Sequence, residues 1–332
     1  MGHRGVPRRV GAAVVVALLL AACGGADDAE TDAAPSGSPS PGRADASPVI
    51  DEDFPDPDVL EVDGTYYAYA TNGNGRNVRV ARSTDLVTWE NLDDAMPQLP
   101  SWMIPGKTWA PEVTELSPGR FALYFTATNF RPALQCIGVA VADSPVGPFV
   151  AAGEGMLVCP PDEGGAIDAS TFLDDDGTGY LLWKNDGNCC GLDTWLQIAP
   201  LAPDGLSLAG PPTRLARQDQ PWEGNLVEAP TLVKRDGTYV LLYSANDYAS
   251  AEYAIGYARA TTVTGPYTKS EQPLLTTNRD PRFVGPGGQD VVPGTDGTDL
   301  LVFHSWSPGH TYRAMSTLSL TWADGTPVLP AE

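Results

Sequence analysis

Four acids and one amide recur at nearly the same phase of a repeat. Asp56, Glu112, Asp168, Glu228 and Gln289 each lie seven to nine residues before a turn glycine. Carboxylates gathered in one place repel one another, so a cluster of them releases its protons at different pH values. One acid of such a set can stay ionised and accept a proton while another stays protonated and donates one, which is the chemistry of paired acid–base catalysis. Proline stands beside several of them, in Phe54-Pro55-Asp56-Pro57-Asp58-Val59, Trp109-Ala110-Pro111-Glu112-Val113 and Val227-Glu228-Ala229-Pro230, where it fixes the local backbone and withholds an N–H. Any one of these acids could equally cap a turn. A set at equal phase points instead to a shared site.

The elements that must position them are hairpins. Five segments pair an apolar strand with a second, mostly aromatic-rich strand across Gly64, Gly119, Gly177, Gly237 and Gly297, glycines spaced 55, 58, 60 and 60 residues apart. Asp-Gly between alternating apolar residues is a strong hairpin signal. Further short strands follow, as in 78–89, 136–149 and 254–267. About four antiparallel strands per unit of ~55–60 residues is the signature of a propeller blade. The sequence therefore predicts an all-β, five-bladed β-propeller rather than a sandwich, with the first strand of each blade on the central channel and the acids on one rim of it. No helical period is evident beyond the N-terminal segment.

That segment reads as an address. Three arginines precede an apolar run from Val10 to Leu20, too short to span a bilayer but suited to a signal peptide. Leu20-Ala21-Ala22-Cys23 resembles a bacterial lipobox, which predicts a signal peptide over 1–22, a lipid on Cys23, a low-complexity linker over 23–47 and a folded domain over 48–332. The protein is then expected on the outer face of a bacterial membrane, held by its lipid alone, or secreted. The net charge of −22 becomes −25 without the first 22 residues, which excludes a nucleic-acid binder and disfavours anionic membrane surfaces. Such an acidic surface suggests a monomer. Hydrophobic residues make up 42% of the 332, enough for a large core. Beyond Cys23, four cysteines allow three pairings; Cys136–Cys159 with a vicinal Cys189–Cys190 bond is the favoured one, and buried thiols are the alternative. With no CxxC pair and few histidines, a zinc site is not expected.

From Asp53 to the C-terminus the chain resembles glycoside hydrolase family 43, on Asp56-Pro57-Asp58-Val59, Ile167-Asp168-Ala169-Ser170, Val227-Glu228-Ala229-Pro230 and the Trp109-Ala110-Pro111-Glu112-Val113 element. The resemblance implies an inverting hydrolase of arabinofuranosyl or xylosyl linkages in plant polysaccharide, with an arabinofuranosidase or arabinanase favoured over a β-xylosidase because the chain is short. It implies Asp56 as general base, Glu228 as general acid and Asp168 as the carboxyl that tunes that acid. Asp58, two residues on, rivals Asp56 for the base.

Similar enzymes place ring contacts near Trp109 and Phe130, and Trp222, Asn185 and Gln289 are further candidates for sugar binding. Gly285-Pro286-Gly287-Gly288-Gln289-Asp290 departs from the family's usual Gly-Pro-Gly-His. Phe303-His304-Ser305-Trp306 resembles the segment that supplies arabinanases with a calcium-binding histidine, so His304 is a candidate ligand of Ca²⁺, or else a buried hydrogen-bonded histidine. Arg279-Asp280-Pro281 echoes a motif of invertase-type enzymes but falls in the wrong blade. A non-catalytic sugar-binding propeller would be expected to lack one of the three acids, and a retaining enzyme would hold its carboxyls closer together.

Overall fold

The structure is a computed structural model, and it describes Gly2 and residues 48–331. The chain divides after Ser40. The signal peptide, Cys23 and the linker expected over 23–47 lie outside the described residues. What is described is the five-bladed β-propeller that the repeat predicts: five four-stranded antiparallel sheets, each built from consecutive strands. Helix is confined, among the described residues, to the single turns Pro161–Glu163, Gly187–Cys190 and Pro221–Glu223.

The innermost strands of blades 1 to 5 are Asp58–Val62, Met103–Ser117, Ala166–Leu173, Val227–Arg235 and Val284–Pro293. The second strands are Thr65–Ala70, Arg120–Asn129, Gly179–Asn185, Thr238–Ala245 and Asp299–Trp306. The first hairpin is closed by Asp63 and Gly64 and the fourth by Asp236 and Gly237, all four at positive φ, the turn geometry that matches the twist of paired strands. Residues Val49 to Phe54 close the ring: Val49 and Ile50 donate to the Met315 carbonyl and Phe54 to that of Arg313, both on the third strand of blade 5. Cys136 is bonded to Cys159 and Cys189 to Cys190.

Each blade is too thin to bury both faces alone, so its apolar residues pack against the neighbouring blades. Five buried clusters result, one at each junction. Tyr69 and Phe125 lie between blades 1 and 2, Tyr124 and Trp183 between 2 and 3, and Leu182 and Tyr243 between 3 and 4. Phe303 and Val240 fill the junction of blades 4 and 5, and Val59 and Met315 that of 5 and 1.

One irregularity recurs in every blade and places the polar residues. At or just before each innermost strand, one residue adopts the left-handed conformation: Asp56 (φ 54°), Ala110 (43°), Asp168 (59°), Ala229 (49°) and Gly288 (56°). In blades 2 to 5 the pairing with the second strand slips at this point. The bulge turns the residues at and before it towards one mouth of the channel and those two positions later into the channel.

The later positions hold Asp58, Glu112, Ser170, Thr231 and Asp290, and four of them tie one blade to the next. Asp58 accepts the Val113 N–H (2.8 Å), Glu112 the Thr171 N–H (2.6 Å) and Asp290 the Val59 N–H (2.9 Å), while the Thr231 hydroxyl donates to the Gln289 carbonyl (2.7 Å). This corrects the expectation of a single rim. Glu112, two residues after the bulge of blade 2, belongs to the tier inside the channel, and Gln289, one residue after that of blade 5, ties blades 4 and 5 together.

Burial raises the carboxyls of Asp58, Glu112 and Asp290, and mutual repulsion raises the first two further; Glu112 is pushed up to about 7. A carboxyl that binds its proton more tightly folded than unfolded contributes stability in acid, and that contribution is lost as the pH rises from about 4.5 through 7. Glu112→Gln keeps an acceptor for Thr171 and has no proton to lose. In urea denaturation it is expected to exceed the parent by about 1–3 kcal/mol at pH 8, with a smaller gap at pH 5. An equal gap at both pH values would refute this account of the channel.

Candidate active site

A cavity of about 570 Å³ opens on the mouth of the propeller, lined by Asp56, Trp109, Asp168, Lys184, Glu228, Tyr253 and Arg313 among others. A smaller one of about 40 Å³ lies in the channel, with Asp58, Glu112, Ser170, Gln289 and Asp290 on its walls. Asp56, Ala110, Asp168 and Ala229 line both. Four of the five left-handed residues thus form the boundary between the pocket and the channel.

The three acids assigned to chemistry sit in two different environments. Asp56 accepts the Thr71 hydroxyl at Oδ2 (2.6 Å), and its Oδ1 lies 3.5 Å from Nη1 of Arg313. Burial alone would raise this carboxyl, but the Arg313 guanidinium and the Thr71 hydroxyl outweigh it and hold it below the usual range. Asp168 has the opposite balance. Burial pushes it up to about 8, helped by the charge of Glu228 and opposed by Lys184. Glu228 is held at both oxygens: the Tyr253 hydroxyl donates to Oε1 (2.8 Å) and Lys184 Nζ to Oε2 (3.2 Å). Burial keeps the Tyr253 phenol protonated, so it acts as a donor. One side of the pocket therefore carries a ready proton acceptor, and the other a pair of carboxyls that retains a proton.

Trp109 lines the pocket and stands one residue before a left-handed position, as Glu228 does. Four other expectations are corrected. Phe130 is 58% exposed and lies outside the lining of the pocket, because it follows the end of its strand. Asn185 is buried and structural: its amide donates to the carbonyls of Glu163 and Asp193, and its oxygen accepts the Trp195 N–H. Trp222 stacks on Tyr243, at the junction of blades 3 and 4. Gln289 accepts the Ser244 hydroxyl and donates to the Ala229 carbonyl, which commits its amide to the fold. Asp58, the rival base, lies in the channel with its carboxyl raised well above the usual range, the wrong state for a proton acceptor. Arg279 donates to the Leu274 carbonyl and Asp280 pairs with Arg282, away from the pocket lining.

Lys184, Tyr253, Arg313 and Thr71 escaped the sequence reading. Lys184 had a signal: a lysine inside the apolar run Gly179–Asn185, seven residues after the turn glycine Gly177. Thr71 occupies the same position of the repeat after Gly64, and Tyr253 and Arg313 lack any local motif.

His304 bears on the calcium expectation. Its ring is buried, and its Nδ1 accepts the Asp56 N–H at 3.0 Å, which leaves the proton of the neutral ring on Nε2. Nε2 is buried without a protein partner. Burial, reinforced by Arg313, drives the ring down to about 3, so its contact with Asp56 is no ion pair. Among the described residues no group of three or more His, Cys, Asp or Glu could hold a metal ion. A single protonated nitrogen does not fit an ion that prefers six to eight oxygen ligands.

Residues 46–327 match the family described as Glycosyl hydrolases family 43. The chain is 27% identical to the extracellular endo-alpha-(1->5)-L-arabinanase 1 of Bacillus subtilis (strain 168), an alignment covering 82% of this chain and 86% of that protein. Among solved structures, a thermostable family-43 glycoside hydrolase superposes with a TM-score of 0.75 at 31% identity, covering 84% of this chain and 93% of that one. A protein named endo-1,4-beta-xylanase from Bacteroides thetaiotaomicron VPI-5482 superposes at 0.74 and 29% identity, covering 86% and 97%.

The Tyr253–Glu228 contact depends on a glycine. A Cβ at Gly287 would stand 2.0 Å from the Tyr253 ring, whereas one at Gly155 would meet nothing within 4 Å. Gly287→Ala is expected to destabilise the fold by about 1–3 kcal/mol in urea denaturation, as overpacking does. Gly155→Ala should stay within about 0.5 kcal/mol of the parent. Equal stabilities for the two variants would contradict the packing described.

Proposed function

The chain belongs to glycosyl hydrolase family 43, and from that premise we propose that it inverts and cleaves arabinofuranosyl linkages in plant polysaccharide, with Asp56 as general base and Glu228 as general acid. The carrying observation is the split within the pocket: Asp56 is held ionised by Arg313 and Thr71, while the buried Asp168 beside Glu228 is pushed up to about 8. Acid and base roles follow from environments that drive proton affinities apart.

In the proposed reaction a water beside Asp56 attacks the anomeric carbon on the face opposite the leaving group. Asp56 takes the water's proton as the new C–O bond forms. Glu228 gives its proton to the glycosidic oxygen as the old bond breaks, and the anomeric configuration inverts. Burial and the repulsion between Asp168 and Glu228 make this pair of carboxyls retain one proton, which Glu228 delivers to the leaving group. Tyr253 orients Glu228 by its hydrogen bond. Trp109 offers an aromatic face for a sugar ring.

The B. subtilis relative supports arabinan as substrate, and the name of the B. thetaiotaomicron protein favours xylan as the second reading. The name of the B. subtilis relative also supports secretion, and the Leu20-Ala21-Ala22-Cys23 motif supports a lipid anchor at Cys23.

Proton NMR of a digest tests substrate and mechanism together. Residues 49–332 mixed with arabinan should release arabinose or its oligomers with inverted anomeric configuration from the first minute, and xylo-oligosaccharide should be the poorer substrate. Initial retention would discard the roles of Asp56 and Glu228. Asp56→Asn and Glu228→Gln should each lower kcat by about 10²–10⁴-fold with unchanged far-UV circular dichroism. Near-parental turnover in either would remove that residue from the mechanism. For the anchor, Cys23→Ala should move the full chain from the membrane fraction to the soluble one; continued membrane association would overturn the lipid site.

A further inference from the structure

The left-handed residue of each blade has an N–H that cannot join the ladder, and each is bonded by a side chain of the preceding blade. Ala110 donates to Thr71 (2.9 Å), Asp168 to Thr126 (3.1 Å), Gly288 to Ser244 (2.9 Å) and Asp56 to His304 (3.0 Å). Thr71, Thr126, Ser244 and His304 all stand seven residues after their turn glycine. In blade 3 that position is Lys184. An ammonium has no lone pair, so it cannot serve the Ala229 N–H, and Asp168 Oδ2 accepts that bond instead (3.0 Å). Freed from the junction, Lys184 sends its Nζ to Glu228, 3.2 Å away, and towards Asp186, 3.6 Å away.

We propose that Lys184 is a positioning residue for the acid of this reaction: its buried ammonium holds Glu228 in place and stabilises the carboxylate left when Glu228 protonates the leaving group. The inference rests on the reading of Glu228 as general acid. Its ground is the break in the repeat together with burial, since Lys184 is only 1% exposed and no solvent screens its charge. Burial alone would deprotonate this lysine, but Glu228, Asp168 and Asp186 outweigh it and keep it charged.

The groups facing this ammonium and the acid pair are Asp168 and Asp186 from blade 3, Glu228 and Tyr253 from blade 4, and Asp56, Arg313 and the neutral His304 across the pocket. Lys184 pulls the pair towards ionisation and Asp168 opposes it. The balance sets the pH at which the acid is lost, hence the alkaline limb of the activity profile.

Lys184→Thr tests this with the residue type used at the same place in blades 1 and 2, so the junction keeps a side chain it is built for. The alkaline limb of kcat/KM should move to higher pH by about one unit or more, because an opposite charge has gone. Turnover of polysaccharide should fall about 10–100-fold, the scale of one charged hydrogen bond, with a much smaller loss on an aryl arabinofuranoside whose leaving group needs no proton. Lys184→Arg should restore both. Asp186→Asn, which removes a like charge, should move the limb the opposite way. An unmoved limb in Lys184→Thr, equal losses on the two substrates, or an upward shift in Asp186→Asn would overturn the proposal.

Carboxyl ¹³C NMR of Asp-labelled protein reads the same effect without turnover. The Asp168 resonance, assigned with Asp168→Asn, should titrate at higher pH in Lys184→Thr, and an unchanged titration overturns the inference. A parent enzyme that cleaves neither arabinan nor the aryl glycoside would sink the functional reading on its own, while the titration still decides what Lys184 does.

Discussion

An N–H buried at the axis of a propeller must find an acceptor, and five left-handed residues each present one there. The solution is a ring of bonds running from blade to blade, in which Thr71, Thr126, Asp168, Ser244 and His304 each accept the N–H of the next blade. Backbone strain of about 1–3 kcal/mol per non-glycine residue is sustained because the neighbouring blade over-determines the conformation. Two of the strained residues, Asp56 and Asp168, are acids of the pocket, so the bonds that assemble the ring also aim two of its carboxyls.

The same ring separates two populations of carboxyls. Those at or before the bulge face the pocket; those two residues later face the channel and join blades through Val113, Thr171 and Val59. Within the pocket, cations decide the states. Arg313, whose guanidinium lies over the rings of Tyr248 and Trp306, serves Asp56, and Lys184 serves Glu228. Inversion in this reading needs such an asymmetry, since two acids in identical surroundings would share their protons evenly.

The glycine-turn period, the Asp-Gly hairpins and the alternation of apolar residues made the five blades legible in the sequence, because these are local preferences that repeat. The acids Asp56, Asp168 and Glu228 were legible as a set for the same reason. The bulge was not: spacing to the turn glycine varies by one residue among blades, and one residue of slip moves a side chain to another tier. Glu112 and Gln289 were therefore grouped with the pocket acids although their side chains serve the channel and the junctions. Phe130, Asn185 and Trp222 show the same gap, since an aromatic or amide near a motif looks alike whether it faces sugar, solvent or a neighbouring blade.

What the sequence determined by itself was the architecture and the inventory of acids, because strand period, turn chemistry and composition act over a few residues. What only the tertiary structure decided was the protonation state and partner of each acid. Arg313 lies 257 residues from Asp56, and Lys184 lies 44 from Glu228, on another blade. Burial and the charges that blade packing brings within a few ångströms set proton affinity, and neither exists until neighbouring blades, the first and last among them, have met.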